Sequence, residues 1–233
     1  IAPTTMHSLT TLSFPVLTTN YGNTAFTFAP TTMHLLTSLT MPSTFTYCGA
    51  FTPNTMQSLT TLSAPNLVIV DGSFNPNTLH SLNTLSFPAL TTVIGAFNPN
   101  AMNSITTFNF PNLTTVVGNI GITGMSSLTS ITLSSLLYCQ GISIATGANA
   151  LLSYSVPNLT IIDGTLALTS GMVLKTFDMP LVKFINGNIT STGIFISSFS
   201  YPNIKCISGS FALTGCALLQ TISLPALTYV GSI

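Results

Sequence analysis

The sequence predicts an all-β protein, a parallel β-solenoid (β-helix) of ten coils with a repeat of about 23 residues. Three observations predict this fold. A proline recurs at a fixed interval, a glycine follows most of these prolines seven positions later, and the apolar residues fall in fixed columns between them. A helical repeat is a poor fit, because nearly every copy would hold a proline in its interior at a cost of about 3 kcal/mol each.

The proline and glycine columns set the length of each coil. The prolines are Pro15, Pro42, Pro65, Pro88, Pro111, Pro157, Pro180, Pro202 and Pro225, with Ser134 in the one gap. Their spacing is 23 residues, except for 27 at the first interval and 22 near the end. We expect the four extra residues of the first coil, around residues 21–27, to form a short surface loop.

The apolar columns define the interior of the predicted solenoid. In the fourth coil they are Leu82, Leu85, Phe87, Leu90, Val93 and Phe97. The residues between these columns are mostly Thr, Ser and Asn, so we expect the apolar side chains to be buried and the polar ones to face outward. Each coil then consists of a strand, a proline corner, a second strand, a glycine corner, a third strand and a turn. Stacked coils pair in parallel about 4.8 Å apart.

We predict one domain, residues 1–233, built from two styles of coil. In residues 1–118 the third strand leads into a proline, as in Phe74-Asn75-Pro76. In residues 119–233 it alternates apolar and small residues and ends at a glycine, as in Ile122-Thr123-Gly124. The apolar columns continue across this boundary, which argues against a second domain.

Composition excludes several classes of protein. Charged residues make up 3% of the chain, three lysines and three aspartates, against about 25% in an ordinary domain. The apolar content of 46% excludes disorder, and the lack of a basic surface excludes nucleic-acid binding. No apolar run approaches the roughly 20 residues that a membrane-spanning helix needs. The amino terminus, which lacks Met, indicates either a mature product without its signal peptide or a fragment.

The repeat resembles two families of extracellular solenoids. The pattern Leu-x-x-Leu-x-Phe-Pro-x-Leu-x-x-Val-x-Gly, from Leu82 to Gly95, resembles the receptor L-domain repeat. The 23-residue period with proline and glycine corners is also similar to BspA-like leucine-rich repeats of bacterial surface proteins. Those repeats usually have Cys where this chain has Met6, Met33 and Met56. The resemblance implies the solenoid fold and an extracellular or cell-surface location, and it brings no catalytic or binding residue with it.

Histidines were the first candidates for a site, because His7, His34 and His80 share one column. Two of them on neighbouring coils, about 4.8 Å apart, could share a metal ion. The same column also holds Gln57 and Asn103, so an exposed polar turn position is the favoured interpretation. We predict no metal site.

Carboxylates give no catalytic centre either. Asp71 and Asp163 share a column but lie four coils apart, about 19 Å by strand spacing, too far for a glycosidase pair. Asp178 with Lys175 and Lys183 is the only charged cluster, which we interpret as a surface ion pair. The sequence therefore predicts no enzyme, no catalytic residue and no cofactor.

The four cysteines, Cys48, Cys139, Cys206 and Cys216, are too scattered for a disulfide framework. We interpret them as small buried residues, with an intersubunit disulfide as an alternative. Three glycosylation sequons, at Asn112, Asn158 and Asn188, are as many as chance would give in a chain this rich in Asn and Thr.

Stacked threonines could instead form a flat surface that binds ice. Paired Thr follow the leucines in several coils, as in Thr60-Thr61 and Thr114-Thr115, and ladders of this kind are used by ice-binding solenoids. Thr is also the polar residue with the best strand propensity, so ice binding is a minor alternative.

The first functional hypothesis is a structural protein that stacks head-to-tail into a fibre. Coil one begins in repeat style at the amino end and coil ten stops abruptly, without the polar caps that repeat proteins need. A second copy placed after the first would continue the 23-residue phase, with an axial step near 48 Å for ten coils. The predicted subunit interface consists of Ile1, Met6, Leu9, Leu12, Leu219, Ile222, Leu227, Val230 and Ile233. The alternative is an extracellular recognition module that binds protein or glycan.

Overall fold

The computed structural model describes residues 6–14, 26–169 and 173–233. Within these ranges the chain is all-β, without a helix, and the strands pair in parallel. Nine strands of one series recur at intervals of 23 residues, or 22 once, so eight turns separate the first from the last. The predicted β-solenoid is confirmed. Of the first predicted coil, residues 6–14 and the residues from 26 onward are described, so residues 21–25 of the loop expected around residues 21–27 lie outside the described residues.

Each coil presents three faces. The first face consists of β1 (Ser38–Thr40), β3 (Thr61–Ser63), β5 (Thr84–Ser86), β7 (Thr107–Asn109), β9 (Ser130–Thr132), β11 (Ser153–Ser155), β14 (Thr176–Asp178), β17 (Ser198–Ser200) and β19 (Thr221–Ser223). The second face consists of β2 (Tyr47–Cys48), β4 (Ile69–Val70), β6 (Thr92–Val93), β12 (Ile161–Ile162), β15 (Phe184–Ile185) and β20 (Tyr229–Ser232). Strands β8 (Thr115–Ile122), β10 (Tyr138–Ile144) and β18 (Cys206–Thr214) run from the second face into the third, where β13 (Leu166–Leu168) and β16 (Ile189–Thr192) also lie.

The core is one continuous cluster along the solenoid axis. On the first face the middle residue of each strand points inward, and Leu39, Leu62 and Leu85 pair in register. Leu82, Phe87, Leu90, Val93 and Phe97 are buried as predicted. The alternation of apolar and polar residues therefore sets both the fold and the register, because a slip by one residue would turn the whole apolar set to solvent.

Aromatic rings stack along the third face inside the first half of the solenoid. The ring centroids of Phe28 and Phe51 are 5.1 Å apart, those of Phe51 and Phe74 are 5.5 Å apart, and those of Phe74 and Phe97 are 5.0 Å apart. Parallel in-register stacking repeats the same residue at the strand spacing, so one phenylalanine per coil produces a continuous ring stack.

The glycine corner is dictated by close approach of the coils. A Cβ on Gly95 would lie 2.6 Å from the carbonyl carbon of Gly72, and one on Gly118 would lie 2.6 Å from that of Gly95. These contacts are with backbone, which cannot move aside. The recurrence of glycine seven residues after the proline thus has a steric cause.

The third face differs from the prediction in the first half of the chain. Phe28, Phe51, Phe74 and Phe97 make only isolated bridges, and extended strands begin at β8. A proline two residues after each of these phenylalanines has no N–H to continue the ladder. The described turns that follow hold a residue at positive φ, such as Thr55 (55°) and Thr78 (55°) in the proline style and Gly124 (63°) in the glycine style.

The first face is divided at two places, which the sequence analysis did not predict. Strand β5 does not pair with β7, and β14 does not pair with β17. At the first division Leu85 is only partly buried, so its predicted full burial is wrong. This column changes there from leucine to Phe108, whose ring packs 4.8 Å from that of Phe110. The second division coincides with the 22-residue coil, whose turn is one residue shorter.

Candidate functional site

The second face carries an unbroken column of outward side chains. Each coil contributes one residue, and each pairs in register with the next. This middle column consists of Tyr47, Ile69, Thr92, Thr115, Tyr138, Ile161, Phe184, Cys206 and Tyr229. Six of these nine side chains are aromatic or aliphatic although they point toward solvent, which makes the second face less polar than the hydroxyl-covered first face.

Apolar side chains on both sides widen this column into a patch. Ile94 and Val117, one rung apart, are each 43% exposed, and Leu137 is 50% exposed beside Tyr138. Phe184, two rungs further along, is 40% exposed. Contiguous exposed apolar surface of this kind marks interaction sites in soluble proteins. We call the surface of Ile94, Val117, Leu137, Tyr138, Ile161 and Phe184 the second-face patch.

The second-face patch was not among the sites predicted from the sequence. The signal is present in the sequence, since the fourth residue after the proline is Ile69, Ile161, Phe184 and Tyr229 in four coils, and Tyr138 stands at the same distance after Ser134. In coil four this column is Thr92, one of the residues expected to face outward, so its apolar members in the other coils lie at an outward position.

The two aspartates of the second face lie beside the middle column and are hydrogen-bonded by tyrosine. Tyr47 Oη donates to Asp71 at 2.6 Å and Tyr138 Oη donates to Asp163 at 3.1 Å. Asn186 Nδ2 also donates to Asp163, at 2.8 Å. Partial burial, the hydrogen bond and the negative charge of Asp163 raise the pKa of Tyr138. These carboxylates serve the stacking of the coils, and four coils separate them as predicted.

Lysines occupy the column on the other side of the middle column. Its backbone ladder is continuous from Val68 to Thr228, and Lys205 N donates to Lys183 O at 2.8 Å. Both lysine side chains are exposed. The ion pair predicted for Asp178 with Lys175 and Lys183 is wrong: in the described part of the chain the Asp178 carboxylate accepts from Ser155 Oγ at 3.2 Å and has no lysine partner. The parallel register directs Asp178 to the adjacent rung of the first face.

The histidine column is an edge of the first face. His7 and His34 stack with ring centroids 5.0 Å apart and an interplanar angle of 11°. Asn103 Nδ2 and His80 Nδ1 are 3.2 Å apart, and Nδ1 of His34 is buried without a hydrogen-bond partner. Across residues 6–14, 26–169 and 173–233 no group of three or more potential metal ligands comes together.

A polar cleft of about 440 Å³ lies on the third face where the proline-style coils meet the glycine-style coils. Asn75, Asn98, Asn119, Gly121 and Ser143 are among the residues that line it. The lining is uncharged, and the Asn98 amide lies over Gly121, where a Cβ would be 2.4 Å from Asn98 Oδ1. The cleft therefore has hydrogen-bonding groups but no acid or base for catalysis.

Threonine hydroxyls largely donate hydrogen bonds to backbone carbonyls of the neighbouring coil. Thr60 Oγ1 donates to Thr37 O at 2.9 Å, and Thr114 Oγ1 donates to Thr91 O at 3.0 Å. The outward columns of the first face are mostly Thr and Ser, but they change to Asn109 and Asp178 in later coils, and the face is divided twice. Ice binding stays a prediction.

The cysteines fall into two classes. Cys48 and Cys139 are buried, as predicted, and burial raises the pKa of each thiol to about 12. Cys206 and Cys216 are only partly buried, so their predicted burial is wrong. Cys206 belongs to the outward middle column of the second face. Cys216 follows β18, and its Sγ is 3.9 Å from Ser191 Oγ of β16 on the neighbouring coil.

The residues of the predicted subunit interface lie in the two outermost coils. Ile1 lies outside the described residues, and Met6 is 42% exposed. Leu9 and Leu12, at the same end as Met6, are partly buried against the core. At the other end Ile222 and Ile233 are exposed, and Leu219, Leu227 and Val230 are partly buried. Their role at an interface stays a prediction.

Comparison with known proteins gives no relative. No protein-family model, no curated protein and no solved structure matches this chain. In the described ranges, no helix has the length and apolarity needed to traverse a lipid bilayer. The solenoid fold is thus established by the structure, and membership of the L-domain or BspA-like families is not shown.

Proposed function

We propose that this chain is a non-enzymatic extracellular recognition module that binds a polymeric glycan along its second face. The observation that carries the proposal is the second-face patch, a cluster of exposed apolar side chains on a continuous parallel sheet. The resemblance of the repeat to receptor L-domains and BspA-like leucine-rich repeats supports the extracellular setting.

A glycan is favoured by the chemistry around the patch. Sugars present an apolar C–H face and a rim of hydroxyls, and the exposed Phe184 and Leu137 offer apolar surface for the former. The Asp163 carboxylate and the Asn186 amide, which lie in the column beside the patch, offer acceptors and donors for the latter. The middle column repeats at the strand spacing of about 4.8 Å, which suits a ligand that is itself a repeating polymer.

The test is binding of the purified chain to polysaccharides in affinity electrophoresis. Leu137→Ser and Phe184→Ser, combined, should weaken retention by about tenfold, because each removes exposed apolar contact area without touching the core. Leu35→Ser is the matched control, since Leu35 is 49% exposed but lies away from the second face. Equal retention of the double variant and the unchanged chain would overturn the proposal, as would binding of no polysaccharide.

A second candidate is the head-to-tail fibre, in which one copy would continue the parallel, in-register pairing that joins neighbouring coils of a single chain. Ile222 is 53% exposed, Tyr229 57% and Ile233 97%. A coil of a second copy packed on the last described coil would cover Ile222, the inward residue of β19, and pair with β19 and β20 by strand addition. The 233-residue chain should then sediment as a polymer, and Ile222→Asp should reduce it to monomer. A monodisperse monomer at micromolar concentration would contradict the fibre.

A further inference from the structure

The lysines of this chain are concentrated in one part of the solenoid. All three lie within coils eight and nine, and Lys183 and Lys205 occupy adjacent rungs of the same column. Because the backbone ladder joins them directly, Lys205 N to Lys183 O at 2.8 Å, the two side chains leave the sheet about one strand spacing, 4.8 Å, apart.

No acid in the described chain neutralises this pair. Neither ammonium group has an ion-pair or hydrogen-bond partner. Asp163, on the same face, accepts from Tyr138 and Asn186, and Asp178 accepts from Ser155 on the first face. Like charges side by side in a sheet are unfavourable, and an external anion bound between these two lysines would relieve their repulsion.

The surroundings of the pair match those of the second-face patch. Phe184, 40% exposed, follows Lys183 directly, and Tyr229, 57% exposed, stands one rung beyond Cys206. Thr228 Oγ1 donates to Lys205 O at 2.9 Å, continuing the column. A ligand that reaches the lysines therefore also contacts apolar surface, as an acidic sugar would.

We propose that Lys183 and Lys205 form an anion subsite of the second face, which takes the carboxylate or sulfate group of an acidic polysaccharide. This inference rests on the proposed glycan-binding function. Two ammonium groups one rung apart can each donate to one oxygen of the same anion, and such charge-assisted hydrogen bonds are stronger than neutral ones. Exposed apolar residues alone would not distinguish an acidic polymer from a neutral one.

The test uses three polymers with one backbone: dextran, carboxymethyl-dextran and dextran sulfate. The intact chain should bind one or both charged polymers more tightly than dextran, and the preferred one identifies the anionic group. Lys183→Gln with Lys205→Gln should weaken binding of that polymer by about tenfold or more and flatten its salt dependence. Lys175→Gln, which removes the same charge from the first face, should leave binding unchanged.

The outcomes separate the two proposals. An equal loss in Lys175→Gln, or no preference for charged dextran over neutral dextran, overturns the anion subsite. Neutral binding that depends on Leu137 and Phe184 but not on the lysines overturns the subsite and leaves the glycan function in place. Binding of charged dextran that depends on the lysines but not on Leu137 and Phe184 overturns the patch and supports the subsite.

Discussion

Two buried tyrosines differ in whether the hydroxyl is hydrogen-bonded, and this difference should change what each contributes to the free energy of unfolding. Tyr154 is fully buried and its Oη has no hydrogen-bond partner, whereas Tyr201 Oη donates to Phe177 O at 2.5 Å. Burial raises the pKa of both phenols. An unpaired buried hydroxyl costs about 1–3 kcal/mol, and a satisfied one stabilises.

Tyr154→Phe should therefore raise the free energy of unfolding by about 1 kcal/mol, because it removes an unsatisfied polar group at constant shape. Tyr201→Phe is the matched control and should lower it by a similar amount, since it leaves the Phe177 carbonyl without this donor. Urea unfolding followed by circular dichroism measures both. Equal destabilisation by the two substitutions would contradict the assignment of Tyr154 Oη as unpaired.

The buried thiols predict a pH dependence of stability. The pKa of Cys48 and Cys139 is about 12 in the folded chain, above the ordinary value of about 8.5 in the unfolded chain. Their contribution is fully present below that ordinary pKa. As the pH rises toward 12 the unfolded chain releases protons that the folded chain keeps, so the free energy of unfolding falls.

Replacement of both cysteines, Cys48→Ala with Cys139→Ala, should make the free energy of unfolding fall less steeply as the pH rises. The variant loses stability at every pH because its side chains are smaller. The drop in its free energy of unfolding between about pH 8 and about pH 10.5 should nevertheless be smaller than in the unchanged chain. Tyrosine ionisation is common to both chains and cancels in the comparison. Parallel pH profiles would show that the two thiols are not protected in the folded state.

At the scale of the strand and its corner, an asparagine after the proline ties one coil to the preceding one. Asn66 Nδ2 donates to Ser43 O at 2.8 Å, and Asn112, Asn158 and Asn203 donate in the same way, each at 2.7 Å. This explains why Pro-Asn-Leu recurs at the corner. Two of the three sequons, those at Asn112 and Asn158, thus use their amide nitrogen within the stack.

Asn158→Ala should lower the free energy of unfolding by about 1 kcal/mol, the typical net value of one hydrogen bond. Ala89 occupies the same corner position in coil four, after Pro88, and Ala89→Asn should add the missing hydrogen bond and raise stability by about 0.5–1 kcal/mol. Thermal unfolding of both variants, compared with the unchanged chain, measures these two changes in stability. A gain in the first variant or a loss in the second would contradict this role of the corner asparagine.

At the scale of the whole molecule, the second face runs without interruption while the first face is divided twice. The eleven strands of the second and third faces form one sheet, whereas the first face splits into sheets of three, four and two strands. Backbone pairing between coils is therefore unbroken on the second and third faces, and the second of these also carries the second-face patch and the lysine pair. A rigid second face is what a long polymeric ligand would need.

The first division predicts a local weakness in hydrogen exchange. Asn83 N donates to Thr60 O at 3.1 Å and Thr129 N donates to Thr106 O at 2.8 Å, but Thr106 N has no such bond across the division. The amide of Thr106 should exchange markedly faster than those of Asn83 and Thr129, as measured by NMR at neutral pH. Equal protection of all three amides would show that β5 and β7 pair in solution.

The period of the chain could be derived from the residues alone. Proline and glycine act through local geometry, and Leu90, Val93 and Phe97 recur in step with them, so the number of residues per coil and the inward columns follow without a structure. Within the described residues the solenoid, its parallel pairing and nearly all of the core agree with that derivation. Leu85 is the exception, because its exposure depends on whether the next strand pairs, which involves Phe108 one coil away.

Only the tertiary structure decided which contacts the outward side chains of each column make and how exposed they are. The aromatic and aliphatic residues of the second face, the tyrosine–aspartate bonds and the adjacency of Lys183 and Lys205 all depend on the register between coils, which joins residues 22 to 25 positions apart. A sequence specifies how each coil alternates, since that is a local property of strands and corners. It also implies which residues share a column, but the hydrogen bonds and the exposure of those side chains are fixed only when the coils stack.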